Sequence, residues 1–200
     1  MNVISIDAST TCIGWSIFDN DNLIAYGKLK PTIEKLEWRE RIQNLIPQVQ
    51  ELINKYKPTE MYVEDVPLIA QKAKKTLVQL GAVQGSLIGI CGANNIKMNF
   101  ITVGTWRHNI GISTGDKDRD SMKVKSLHKA NELFGLDLAC VFTKGGNYNG
   151  DKSDDDIADS INLYASTREK YQVPIRHFGK RRTGGEEWWL VQVVDLLMVM

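Results

Sequence analysis

The stretch Val3-Ile4-Ser5-Ile6-Asp7-Ala8-Ser9-Thr10-Thr11-Cys12-Ile13-Gly14-Trp15-Ser16-Ile17-Phe18 decides the fold. It opens on a short apolar run that ends in an acid, passes through small turn-forming residues, and then alternates from Gly14 to Phe18. That pattern reads as a buried strand returning on itself as a second strand. Asp19-Asn20-Asp21-Asn22 follows as a turn cluster, and residues 23–29 read as a third strand. Residues 2–29 are therefore expected to form an antiparallel meander.

Working outward, the rest of the chain alternates between helix and strand patterns. Residues 32–56 carry Leu36, Ile42, Leu45, Ile46, Val49, Leu52, Ile53 and Tyr56 at helical spacing. Pro47 lies within that run, where a kink or break is expected. Residues 60–64 read as a short strand stopped by Pro67. Residues 72–93 read as a helix with Leu77, Leu80, Leu87, Ile88 and Cys91 inward, and with Gly81, Gly85 and Gly89 at every fourth position. A strand is expected over 96–103, a short helix over 105–110, a polar loop over 111–120 and an amphipathic helix over 121–134. Residues 145–150 read as a mobile loop, and 154–168 as a helix capped by Ser153 or Asp154. A meander followed by alternating helices and strands predicts a mixed α/β sheet extended through crossover helices.

Four acids stand out against this background: Asp7, Glu64, Asp156 and Asp159. Asp7 ends the first apolar run, and Glu64 ends Met61-Tyr62-Val63-Glu64. Asp156 and Asp159 are three apart on one helix face. Acids are seldom fully buried unless paired or bound to a metal. Two unit charges about 4 Å apart repel by about 4 kcal/mol at an effective dielectric near 20. A gathered set therefore calls for a counter-charge, and all-oxygen ligation suits Mg²⁺ or Mn²⁺. Two such ions roughly 3.5–4 Å apart can hold a scissile phosphate and activate a water. Taken singly, Asp7 also fits a structural hydrogen-bonding role, and Asp154 and Asp155 fit helix capping. Asp155 lies four residues before Asp159 and competes with Asp156 as its partner.

Bulk properties set wide bounds. The chain has 200 residues, is 42% hydrophobic and 24% charged, and carries a formal net charge of +1, so any basic face must be local. Cys12, Cys91 and Cys140 are scattered without metal-ligand spacing, which fits a reducing cytoplasm. The N-terminus lacks a secretory pattern, and no run reads as the roughly 18 apolar residues of a membrane span. His108, His128 and His177 show no ligand spacing.

The ordered motifs resemble RuvC-like Holliday junction resolvases. Residues 4–18 resemble the family's opening hairpin, Tyr62-Val63-Glu64-Asp65-Val66 its second acidic strand, Leu80-Gly81-Ala82-Val83-Gln84-Gly85 its glycine-bearing helix, and Asp156-Ile157-Ala158-Asp159-Ser160 its closing D-x-x-D helix. The likeness covers residues 1–168 and is nearer to phage-encoded members than to bacterial housekeeping enzymes. It implies a ribonuclease H-like five-stranded mixed sheet flanked by helices, a homodimer, and two-metal phosphodiester hydrolysis of branched DNA leaving 5′-phosphate ends. It implies Asp7, Glu64, Asp156 and Asp159 as ligands for two Mg²⁺ ions, with Mn²⁺ as a substitute. Lys123 matches a family lysine close to the active site. Two departures bear on junction selectivity. Ser9 stands where bacterial members usually have Gly, and Pro67 and Leu68 stand where they often carry an aromatic.

Basic residues supply the expected DNA face: Lys72, Lys74 and Lys75 past Glu64, then Arg107, Lys117, Arg119 and Lys125 around the 121–134 helix. Each also fits a solvated helix face. Trp106 reads most simply as core. Residues 1–168 are expected to form the nuclease domain, cytoplasmic and in the bacterial host if phage-encoded. The tail 169–200 has no assigned role. Two other functions fit some of the pattern. An actin or sugar-kinase type nucleotide-binding domain explains Asp7 to Thr11 but not Asp156 with Asp159. A non-catalytic branched-DNA binder gains nothing from carboxylates facing phosphate.

Overall fold

The computed structural model describes residues 1–66, 74–112 and 118–173. The expected meander is present as β1 (Asn2–Ala8), β2 (Ile13–Asp19) and β3 (Asn22–Leu29). β4 (Glu60–Glu64) and β5 (Lys97–Ile101) complete a five-stranded sheet of order β3-β2-β1-β4-β5. β1 pairs antiparallel with β2 and parallel with β4, and β4 pairs parallel with β5. The strand bearing Asp7 is thus central, and the strand ending in Glu64 is its neighbour. Parallel neighbours need crossovers, which are α1 (Trp38–Tyr56) and α2 (Lys74–Ala93).

The alternation of strand side chains sorts the two faces. Ile4, Ile6, Ile13, Ile17, Met61 and Val63 pack on one side with Leu45, Val49, Leu87 and Cys91 from α1 and α2. Val3 and Phe18 pack on the other with Leu127 and Ala130 of α4 (Arg119–Phe134) and Ile157, Ala158 and Ile161 of α5 (Asp155–Ala165). A smaller cluster joins α3 (Val103–Asn109) to that second layer through Trp106, Ile110, Met122 and Leu163. Asp7 and Glu64, in step with Val3 and Tyr62, therefore belong to the α5 side.

Several expectations change. α1 starts at Trp38 rather than 32, where Glu37 and Glu40 form a reciprocal capping box. Pro47 lies inside α1 without ending it, because Leu45, Val49 and Leu52 hold both halves to the sheet. Ile88, expected inward, is half exposed, and Gly81, Gly85 and Gly89 face open space. α2 is apolar or small nearly all round, so spacing did not single out one face. It is also long and apolar enough to cross a membrane by length and composition, contrary to the expectation that no run is; here Val83, Leu87, Ile90 and Cys91 pack it onto the sheet.

The 145–150 loop makes hydrogen bonds to its flanks. Thr143 N donates to Asn147 O at 2.8 Å, Asn149 N to Val141 O at 2.9 Å, and Ser153 Oγ to Asn149 O at 2.8 Å. Packing also continues past residue 168: the Tyr171 hydroxyl donates to Asp21 O at 3.2 Å, and Val173 N to Asn109 O at 2.8 Å. Lys72, Lys117, Pro67, Leu68, His177 and residues 174–200 lie outside the described residues.

Candidate active site

Three elements bring the acids together. Asp7 sits near the end of β1, Glu64 at the end of β4, and Asp156 with Asp159 on the first turns of α5. The approach of α5 depends on small residues beneath it. Ser5 and Ser16, paired across β1 and β2, are completely buried, and a Cβ built on Gly14 would lie 1.9 Å from the Asp156 carbonyl oxygen. Only glycine leaves room there for the helix to carry its acids to the sheet.

Electrostatics record the gathering. The Asp7 carboxyl is pushed well above the usual 3.8 by burial, then by Asp159, Glu64, Asp156 and Asp155. Burial lifts Asp159 to about 7; the Ser126 hydrogen bond and the Arg107 charge pull against it, while Glu64 and Asp155 add to it. Each cause is the one expected for carboxylates crowded in a half-buried cleft. Among the described residues, no three acid, histidine or cysteine side chains already converge tightly enough to grip one ion. The donor chemistry, all oxygen and anionic, fits a hard divalent cation.

The supporting contacts were not foreseen from sequence. Trp106 is fully buried, as expected, yet its Nε1 also donates to Glu64 Oε2 at 3.0 Å. A buried indole N–H needs an acceptor, and that was the available signal. Ser126 Oγ donates to Asp159, and Asn162 Nδ2 donates to Ser126 O at 2.8 Å. Asp155 is 2% exposed and takes Lys123 on one oxygen and the Tyr148 hydroxyl on the other, the latter at 2.9 Å. Asp154 accepts from Ala139 N at 2.9 Å and pairs with Lys28 at 3.0 Å. Asp154 occupies the N-cap position of α5, one of the two residues expected there, without a side-chain capping hydrogen bond, and Asp155 is the first residue of the helix. Ser9, at the departure from the bacterial pattern, closes the β1–β2 turn: its hydroxyl donates to Cys12 O at 2.8 Å and accepts from Cys12 N at 3.0 Å.

Of the basic residues expected at the site, Lys123 pairs with Asp155. Arg107 lies 5.0 Å from the Trp106 ring centroid and acts on Asp159 through its charge. Lys74, Lys75 and Arg119 are exposed at the starts of α2 and α4, and Lys125 is half-buried on α4.

Residues 3–139 match the family described as crossover junction endodeoxyribonuclease RuvC. That span holds Asp7, Glu64 and Lys123 and ends before α5. The protein of that name from Fusobacterium nucleatum is 31% identical over 106 residues, covering 51% of this chain and 54% of its own length. The one from the Wolbachia of Brugia malayi is 24% identical over 160 residues, covering 73% of this chain and 97% of its own. The chain thus spans about half the length of the first relative and nearly all of the second. A solved structure, Thermus thermophilus RuvC in complex with a Holliday junction substrate, superposes with a TM-score of 0.60 at 14% identity, covering 88% of this chain and 100% of that one. At that identity the likeness is one of fold, and it agrees with the ribonuclease H-like sheet described above. With residues 3–139, more than half of the sequence, matching the family model, this chain belongs to the crossover junction endodeoxyribonuclease RuvC family.

Proposed function

We propose that the chain is a metal-dependent endonuclease that resolves four-way and other branched DNA by phosphodiester hydrolysis, acting as a homodimer in the cytoplasm. The carrying observation is that Glu64, Asp156 and Asp159, from the adjacent strand and one helix, lie near enough to Asp7 to raise its carboxyl. Family membership supports the same reading.

Asp7, Glu64, Asp156 and Asp159 would hold two Mg²⁺ ions, with Mn²⁺ able to substitute. When bound, such ions polarise the phosphate, lower the pKa of an attacking water and steady the leaving 3′ oxygen. The engagement of both Asp155 oxygens by Lys123 and Tyr148 favours Asp156 as the partner of Asp159. Trp106 orients Glu64, and Ser126 orients Asp159. Lys123 offers its ammonium to a phosphate oxygen beside the acids, while Lys74, Lys75, Arg119 and Lys125 supply affinity along the backbone. Lys72 and Lys117 belong to the same proposed DNA face.

The test compares wild type with Asp7→Asn on labelled four-way, flapped and plain duplex DNA, with Mg²⁺ titrated. Cleavage of the four-way substrate is expected to fall at least about 10²-fold in the variant with junction binding retained, as for loss of a group that acts in the transition state. Equal cleavage by the two proteins rejects the site.

A further inference from the structure

We propose that Tyr148 and Asp155 are positioning residues that aim the Lys123 ammonium at the phosphate undergoing cleavage. The inference rests on the endonuclease reading above. α4 and α5 meet through a two-rung ladder. Lys123 and Ser126 are three apart on α4, and Asp155 and Asp159 are four apart on α5, so each pair shares one helix face. Ser126 grips Asp159, and Lys123 grips Asp155. The rung that holds a proposed metal ligand is thus one helical turn from the rung that holds the lysine.

The second rung is unusually well defined. The Asp155 side chain is 3% exposed and that of Lys123 is 22% exposed. A buried carboxylate left half-satisfied is costly, so its remaining oxygen needs a donor. The Tyr148 hydroxyl fills that place at 2.9 Å, and the Lys123 ammonium lies 5.7 Å from the centroid of the same ring. Gly150 lies close by: a Cβ there would stand 3.5 Å from Lys123 Nζ and 3.6 Å from the Tyr148 ring. The hairpin carrying Tyr148 is stitched to the start of α5 through Ser153, which accepts from Val141 N at 2.9 Å and donates to Asn149 O at 2.8 Å. Its position is therefore fixed against α5, so Tyr148 can set the plane of the Asp155 carboxylate and with it the direction of Lys123. No proton moves in this arrangement; Lys123 presents hydrogen bonds to phosphate.

The test is a double-mutant cycle on the full chain. It uses single-turnover cleavage of a saturating labelled four-way junction in Mg²⁺, with junction affinity measured separately in Ca²⁺. Tyr148→Phe keeps the ring and removes only the hydroxyl. It is expected to slow cleavage about 10-fold, the low end for loss of a supporting group around a metal site, and to leave affinity unchanged within about twofold. Lys123→Ala is expected to slow cleavage about 10²-fold. In the Lys123→Ala background, Tyr148→Phe should cost nothing more, because residues acting as a unit are not additive. Losses that multiply, a wild-type rate for either single variant, or a change in affinity alone would overturn the positioning role. A wild-type protein that leaves the junction uncut rejects the endonuclease reading itself, and this inference with it.

Discussion

Trp106 answers to two constraints with one ring. Its carbon surface fills the junction of α3, α4 and α5, and its N–H holds Glu64. Trp106→Phe removes the donor while keeping an aromatic in the core. Stability is expected to fall by about 1–2 kcal/mol from the lost hydrogen bond and the smaller ring. Cleavage should fall about 10-fold through a less fixed Glu64. Thermal melts and single-turnover rates measure the two effects separately, and an unchanged rate removes Trp106 from the site. At this scale the sequence was informative about acids and much less so about what holds them. Asp7 and Glu64 stand out because each interrupts an apolar strand. Ser126 and Asn162 are ordinary polar residues whose partners lie 33 and 36 positions away, and only the packing of α4 on α5 reveals them; Tyr148 lies seven positions from Asp155, in a loop whose path no spacing rule fixes.

The docking of α5 on the sheet is an element-scale property with a single narrow point, at Gly14. Gly14→Ala must move α5 away from β2, since backbone and not a flexible side-chain end stands in the way. Overpacking of this kind costs about 1–3 kcal/mol. Because the displaced element carries Asp156 and Asp159, metal affinity should fall together with stability. Calorimetric titration of Mg²⁺ into both proteins, beside their melts, checks this; wild-type affinity in a well-folded variant refutes it. The strands were legible within a residue or two because period-2 alternation and the turn clusters agree. Helix faces were less so. α1 has a strong apolar stripe, and its face was read correctly from it. α2 is apolar or small on every side, and the inward assignment of Ile88 failed for that reason.

For the whole molecule, the crowded acids make stability depend on pH and on metal together. Asp159 ionises at about 7 in the folded chain against an ordinary 3.8, and Asp7 is raised as well. A carboxyl raised in the folded state contributes stability that is fully present below its unfolded pKa and lost as pH rises through the folded one. Without divalent metal, the contribution of Asp159 should therefore decline between about pH 4 and pH 7, and the raised Asp7 carboxyl should add to the loss as pH rises. Millimolar Mg²⁺ should raise Tm at pH 8, above the value for Asp159, and have little effect at pH 5. Melts at the two pH values with and without Mg²⁺ decide it, and an equal metal effect at both counts against the ligand set. The fold as a whole was readable because the order of meander, crossovers and closing helix leaves few topologies. The extent of packing beyond residue 168 was not, since it hangs on isolated contacts such as Tyr171 with Asp21.

The parallel register of β1 with β4 carries a consequence for changes in chain length. Val3 pairs with Glu60 and Ile6 with Val63, which puts Asp7 and Glu64 on one face. One residue inserted within β4 ahead of Glu64 would turn its carboxylate to the opposite face, into the apolar layer under α1 and α2. Two inserted residues would return it to the correct face, but roughly 6–7 Å further along the strand. Tolerance of insertions here follows parity: odd lengths bury the charge, and even lengths keep it in the cleft but out of reach of its partners. Insertions of increasing length in β4 should accordingly show proteins that fail to fold alternating with folded proteins that do not cleave.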